Sequence, residues 1–89
     1  MATIYIPSLM RDLTDGQEII LVDGKTMRQI MTNLEKAYPG FRKRLMDEDS
    51  NRIKPNIAVM LDGRNANRSL LDKVMDASEI HFLPAISGG

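Results

Sequence analysis

EIHFLPAISGG, the stretch from Glu79 to Gly89, decides how the fold is interpreted. Its first half alternates: Ile80 and Phe82 fall on one side of an extended chain, and His81 and Leu83 fall on the other. This pattern predicts a half-buried β-strand. Its second half carries no charged side chain and ends on two glycines. We therefore expect a domain over residues 1–84 and a flexible C-terminal tail over residues 85–89.

Three more segments have the pattern of strands. Ala2–Pro7 alternates, and Glu18–Val22 is a β-branched apolar run that we expect to pair with it as a hairpin. Ile57–Leu61 is an uninterrupted apolar run, typical of a central strand buried on both faces or nearly so. Asp62-Gly63 then predicts a turn. The segment after it, Arg64–Arg68, is predicted to be a short strand or a loop.

One main helix is predicted between the second and third of these strands. Thr26 and Gln29 match a capping box at its start, and Tyr38-Pro39-Gly40 ends it, because a residue before proline avoids helical geometry. Phe41 and Leu45 are one helical turn apart, which predicts a short second helix. The apolar face that we expect to pack on the sheet contains Met27, Ile30, Met31, Leu34 and Ala37.

The remaining segments are predicted to be connections. Ser8–Gln17 is rich in turn residues, Asn51–Asn56 is a loop, and Leu70, Leu71 and Val74 are expected to close the end of a small core. The resulting order of elements predicts an α+β fold, with a mixed sheet of four to five strands that grips the main helix on one face and is partly exposed on the other.

The composition argues against a conventional active site. Twelve basic and twelve acidic residues cancel, so no net charge favours nucleic acid or a membrane surface. The absence of cysteine excludes a disulfide, a thiol nucleophile and a cysteine-ligated metal, and His81 is the single histidine. We expect a binding protein rather than an enzyme, with no metal, nucleic acid or membrane among its partners. Without a signal peptide pattern, a cytoplasmic monomer is the expectation.

Two sets of residues resemble the ubiquitin-like sulfur-carrier family, which has a β-grasp fold and serves thiamine, molybdopterin or cysteine synthesis. DKVMDASEIHFLPAISGG, from Asp72 to Gly89, is similar to the C-terminal pattern of the family. Ile6–Gln17 and Asn33–Asp47 look most like the cysteine-synthesis branch. Carriers for thiamine synthesis lack the GFRKRLMD segment found here, while the molybdopterin branch remains an alternative. The family pattern is less well matched at Asn67-Arg68-Ser69.

The resemblance implies that the Gly89 carboxylate is the reactive group. An E1-like enzyme would adenylate it with ATP, and a sulfur donor would convert it to a thiocarboxylate. Gly88 and Ser87 would thread into narrow enzyme channels, since glycine lets a backbone approach a wall closely. The protein itself would be a co-substrate with no bound cofactor and no catalytic side chain. The residues expected to dock partners beside the tail are Leu83, Pro84 and Ile86.

The partners implied by the resemblance differ between the branches. In the cysteine route, the thiocarboxylate would react on a cysteine synthase-type enzyme that holds pyridoxal phosphate, and a metalloprotease would release the product. In the molybdopterin route, the tail would enter the large subunit of molybdopterin synthase. Two other classes remain open: a ubiquitin-like modifier that forms isopeptide bonds, and a binding module that leaves the tail unused.

Overall fold

A mixed sheet packed on one main helix forms the body of the protein. The computed structural model describes residues 1–47, 49–50, 52–66 and 70–84. In chain order its strands and α-helices are β1 (Ala2–Tyr5), β2 (Ile19–Val22), α1 (Met27–Ala37), α2 (Phe41–Leu45), β3 (Met46–Asp47), β4 (Arg52–Ile53), β5 (Ile57–Leu61), β6 (Arg64–Asn65) and β7 (Glu79–Pro84). The five-stranded sheet has the order β2-β1-β7-β5-β6, and β3 pairs with β4 in a small second sheet. The predicted α+β β-grasp architecture is confirmed.

The strand at the centre of the sheet is β7. It runs parallel to β1 and antiparallel to β5, whereas β1 and β2 form an antiparallel hairpin. One register row crosses four strands through Ile20, Ile4, Ile80 and Leu61. All four side chains are buried, so one face of the sheet is continuously apolar beneath the helix.

The main helix begins where its sequence predicts. The backbone N–H of Gln29 donates to the hydroxyl of Thr26 at 3.2 Å, and the side-chain oxygen of Gln29 accepts from the backbone N–H of Lys25 at 2.8 Å. The apolar face of α1 is buried through Met27, Ile30, Met31 and Leu34. Ala37, which was predicted on the same face, is exposed instead.

The short helix α2 is tied to α1 through one carboxylate. Glu35 accepts hydrogen bonds from the backbone N–H groups of Gly40 at 3.1 Å and Arg42 at 2.8 Å. These bonds hold the pKa of Glu35 below its ordinary value, with the Arg42 bond the larger cause. The helix then places Phe41 and Leu45 in the core, where both are buried.

The hydrogen bonds on Glu35 predict a pH dependence of stability. A pKa that is lower in the folded state gives a contribution that is present above the unfolded pKa, near 4.5, and is lost as the pH falls through the folded value. The loss of unfolding free energy caused by Glu35→Gln should therefore be larger at pH 7 than at pH 3. Urea unfolding at both pH values measures it. The exposed Glu18→Gln variant is the control, and a penalty for Glu35→Gln that is equal at both pH values would contradict the expectation.

The connection between β1 and β2 is more ordered than its sequence predicts. Ser8–Thr14 forms a 3-10 helix. Arg44 of α2 makes two hydrogen bonds to the Asp12 carboxylate, at 2.8 and 2.6 Å, and the Thr14 hydroxyl donates to the Gln17 carbonyl oxygen at 2.7 Å. These contacts stabilise a compact helical connection where the turn residues alone predict an irregular one.

Two other expectations need correction. Arg52–Ile53, predicted as part of a loop, forms β4 and pairs with β3. Leu71 does not close the core, because its side chain is 65% exposed, whereas Val74 is buried there as expected and Leu70 packs against the core. The sequence pattern of this turn does not decide which of the two adjacent leucines faces inward.

Candidate functional site

The last strand presents two different faces along its length. Ile80 and Phe82 are buried against the core, while His81 is half-buried and Leu83 is 51% exposed on the outer face of the sheet. The predicted alternation of this strand is therefore confirmed. Because β7 is the central strand, its outward side chains lie in the middle of the outer face.

An aromatic pair occupies the middle of that face. The rings of Tyr5 on β1 and His81 on β7 stack with their centroids 4.1 Å apart and their planes 4° from parallel. Glu79 lies beside them, with a carboxylate oxygen 3.9 Å from His81 Nε2. A hydrogen bond to Glu79 raises the pKa of Tyr5 above its ordinary value, because it stabilises the protonated phenol next to a negative charge. Local spacing did not predict this cluster, since it depends on the parallel register of two strands at opposite ends of the chain.

Apolar side chains surround the aromatic pair. On β2, Ile19 is 50% exposed and Leu21 is 62% exposed. On β5, Ala58 and Met60 are half-buried and face outward, so this strand is fully buried on its inner face and partly covered on its outer one. The outer face is thus partly apolar, as predicted, and a contiguous exposed apolar surface is typical of a protein interaction site.

A carboxylate fixes one end of this face. Asp62, in the turn between β5 and β6, accepts a hydrogen bond from the Ser78 hydroxyl at 2.7 Å and another from the backbone N–H of Glu79 at 2.8 Å. Both bonds lower the pKa of Asp62, the backbone bond being the larger cause. Asp62 and Gly63 both have positive φ, at 51° and 83°, as in the tight hairpin turns that Asp-Gly favours.

The predicted tail residues lie mostly beyond what the structure describes. Pro84 is the last residue of β7, and its backbone is paired with that of Ile57 on β5. The reactive and threading residues, together with one docking residue, fall outside the described residues: Ile86, Ser87, Gly88 and Gly89. Of the expected docking residues, Leu83 is the one whose exposed side chain is described. The roles of all these residues stay predictions.

The described residues contain neither a metal-binding cluster nor a membrane-spanning helix. Within residues 1–47, 49–50, 52–66 and 70–84, no group of three or more histidine, aspartate or glutamate side chains is placed to hold a metal ion. No helix in that part of the chain is long and apolar enough to cross a membrane.

The sheet order, the gripped helix and the central last strand define a ubiquitin-like β-grasp protein. The same fold occurs in a chain of the crystal structure of the Amycolatopsis orientalis BexX/CysO complex, with a TM-score of 0.90 over 100% of both chains and 26% identity. The family model of the ThiS family matches residues 4–89, and the chain belongs to that family. The resemblance to sulfur carriers is thereby confirmed.

Mycobacterial proteins give a second comparison. The chain is 29% identical over 90 residues to the sulfur carrier protein CysO of Mycobacterium tuberculosis, a match that covers 98% of this chain and 97% of that protein. The crystal structure of M. tuberculosis CysO superimposes with a TM-score of 0.90 and 27% identity, over 97% of this chain and 100% of that one. The similarity therefore extends over nearly the whole chain in sequence and in structure.

Proposed function

We propose that the protein is a sulfur carrier whose Gly89 carboxylate is converted to a thiocarboxylate. The observation that carries the proposal is membership of the ThiS family over residues 4–89, which includes the Gly-Gly end. In the proposed reaction the carboxylate attacks ATP, pyrophosphate leaves, and an E1-like enzyme holds the acyl-adenylate. A sulfur donor at the oxidation level of sulfide then displaces AMP, so that sulfur stands in place of one carboxylate oxygen.

The chemistry of this chain supports that role. Because the chain has no cysteine, it has no thiol on which to carry sulfur, so the carboxylate at Gly89 is the leading position. No side chain after Pro84 is charged, which lowers the free energy of desolvation when the tail enters a buried site. The carrier supplies the acyl group, and the partner enzymes supply the catalytic groups.

We further propose that cysteine synthesis receives the sulfur. The support is the similarity to mycobacterial CysO over nearly the full chain, together with the GFRKRLMD segment, which forms α2 and β3. The receiving enzyme would be a cysteine synthase-type protein that holds pyridoxal phosphate, and a metalloprotease would release cysteine from the carrier. Molybdopterin synthase is the alternative receiver.

Intact mass spectrometry tests the carrier chemistry. The purified chain is incubated with its activating enzyme, ATP and a sulfur source. Replacement of one oxygen by one sulfur at the C-terminus supports a carrier, and a ladder of conjugates identifies a modifier instead. An unchanged mass with an activating enzyme of proven activity would rule out both. Addition of an activated serine derivative and the synthase then separates the cysteine route from the molybdopterin route.

The exposed end of β7 predicts where the activating enzyme docks. Leu83→Asp places a charge on an apolar surface beside the tail, and we expect the Kd for the activating enzyme to rise about tenfold or more, because burying an unpaired charge at an interface is unfavourable. The unfolding free energy should change by about 1 kcal/mol or less, since the side chain is half exposed. Calorimetric titration measures the binding.

Leu21→Asp is the matched control for this substitution. Leu21 is a leucine of similar exposure on the same outer face, but it lies on the edge strand β2. An equal loss of affinity in both variants would show that the effect is not specific to the end of β7. Unchanged affinity in Leu83→Asp would contradict the docking role of this residue.

A further inference from the structure

An open groove lies on the outer face, between β7 and the turn that joins β5 to β6. Its volume is about 570 Å³, within the range of roughly 300–1,000 Å³ that is usual for small-ligand sites. The residues that line it are Met60, Asp62, Gly63, Glu79, His81 and Leu83.

The charged groups of the groove are carboxylates. Asp62 and Glu79 both line it, and none of the lining residues within the described part of the chain is a lysine or an arginine. Two hydrogen bonds fix the Asp62 carboxylate, and its lowered pKa keeps it ionised near neutral pH. Arg64 on β6 is near enough for its charge to favour ionised Asp62, but its side chain does not line the groove. The charge pattern therefore favours a cationic occupant.

The other walls are apolar or aromatic. Met60 and Leu83 offer aliphatic surface. The His81 ring stacks on Tyr5 of β1 and lines the groove, and His81 is paired with Met60 of β5 on its other side. A planar cation can stack on such a ring while its aliphatic part lies on the neighbouring side chains.

We propose that this groove binds an arginine side chain presented by a partner protein. The guanidinium group pairs with the carboxylates of Asp62 and Glu79, and the aliphatic stem packs on Met60 and Leu83. Arginine fits better than lysine because its guanidinium is planar, stacks on aromatic rings and can bind a carboxylate through two parallel hydrogen bonds. The inference goes beyond sulfur transfer, since it holds whether or not the tail is loaded.

A peptide titration of the full, unloaded chain tests the proposal. The probe is acetyl-Leu-Arg-Leu-amide, and its control is the same peptide with citrulline, which keeps the shape and removes the charge. In ¹⁵N-correlated NMR spectra we expect saturable shifts at Met60, Gly63, His81 and Leu83 with the arginine peptide. Affinity should fall as salt is raised, because the contacts are solvent-exposed ion pairs.

Two carboxylate variants complete the experiment. Glu79→Gln keeps the size of the side chain and should raise the Kd of the arginine peptide about fivefold, the effect expected for one exposed ion pair. Glu18→Gln is the control. Glu18 is an exposed carboxylate that directly precedes the edge strand β2, and its substitution should leave the Kd unchanged. Absence of saturable shifts, equal binding of the citrulline peptide, or an unchanged Kd in Glu79→Gln would each overturn the proposal. Sulfur loading is measured separately by mass spectrometry, so failure of this proposal can be distinguished from failure of the carrier chemistry.

Discussion

Removal of Gly89 should abolish sulfur loading and leave the domain folded. The deletion moves the carboxylate back by one residue, up to about 3.5 Å. A displacement of only about 1 Å can lower a rate on the order of a hundredfold. Because no core residue changes, the circular dichroism spectrum should match that of the intact chain. Mass spectrometry after incubation with the activating enzyme, ATP and a sulfur source gives the readout.

Two further variants show whether sulfur loading depends on the position of the carboxylate or on the side chains of the tail. One extra residue after Gly89 should be as damaging as the deletion, unless a protease removes it. Gly88→Val keeps the length and adds a side chain that a narrow channel would exclude, so loading should be strongly reduced. Full thiocarboxylate formation on the chain that lacks Gly89 would refute the proposed mechanism. The protein would then be a β-grasp binding module whose tail is not its reactive group.

Phe41→Ala should strongly destabilise the domain. Phe41 is fully buried and is among the largest side chains of the core. Its truncation removes apolar contacts and leaves a cavity, which typically costs about 3–5 kcal/mol. A folded domain has a total stability of roughly 5–15 kcal/mol, so the variant should lose a large fraction of its unfolding free energy. Urea denaturation followed by circular dichroism measures the change.

Leu9→Ala is the control for this prediction. Leu9 is 77% exposed, so its truncation should change the unfolding free energy by about 0.5 kcal/mol or less. A small penalty for Phe41→Ala would mean that α2 is a peripheral addition to the fold. The expected large penalty would show that the GFRKRLMD segment is an integral part of the core. The segment could then not be deleted to convert the chain into a shorter carrier.

Local patterns predicted the elements that have one buried face. Alternation identified β1 and β7, and Thr26 with Gln29 located the start of α1, because burial and capping are properties of a few neighbouring residues. The outward position of Leu83 followed from the same alternation. These features could be predicted from the sequence because each depends on spacing within a single element.

Contacts between residues distant in the sequence could not be predicted from local spacing. The 3-10 helix depends on Arg44, which is 32 positions away from the Asp12 carboxylate that it binds. β3 and β4 have two residues each, too few to show a period. The stack of Tyr5 on His81, and the groove beside it, follow from the register between β1 and β7. That register is set by packing of the whole sheet, and no local pattern specifies it.

The central place of β7 also determines how the chain folds. Without this strand, β1 and β2 on one side and β5 and β6 on the other are two separate hairpins with no pairing between them. The parallel contact of β1 with β7 joins residues more than 70 positions apart, as Ile4 with Ile80, so we expect the sheet to close late in folding. A partly folded molecule therefore lacks the outer face around His81 and Leu83. If the activating enzyme docks at Leu83 as proposed, it would discriminate against incompletely folded chains.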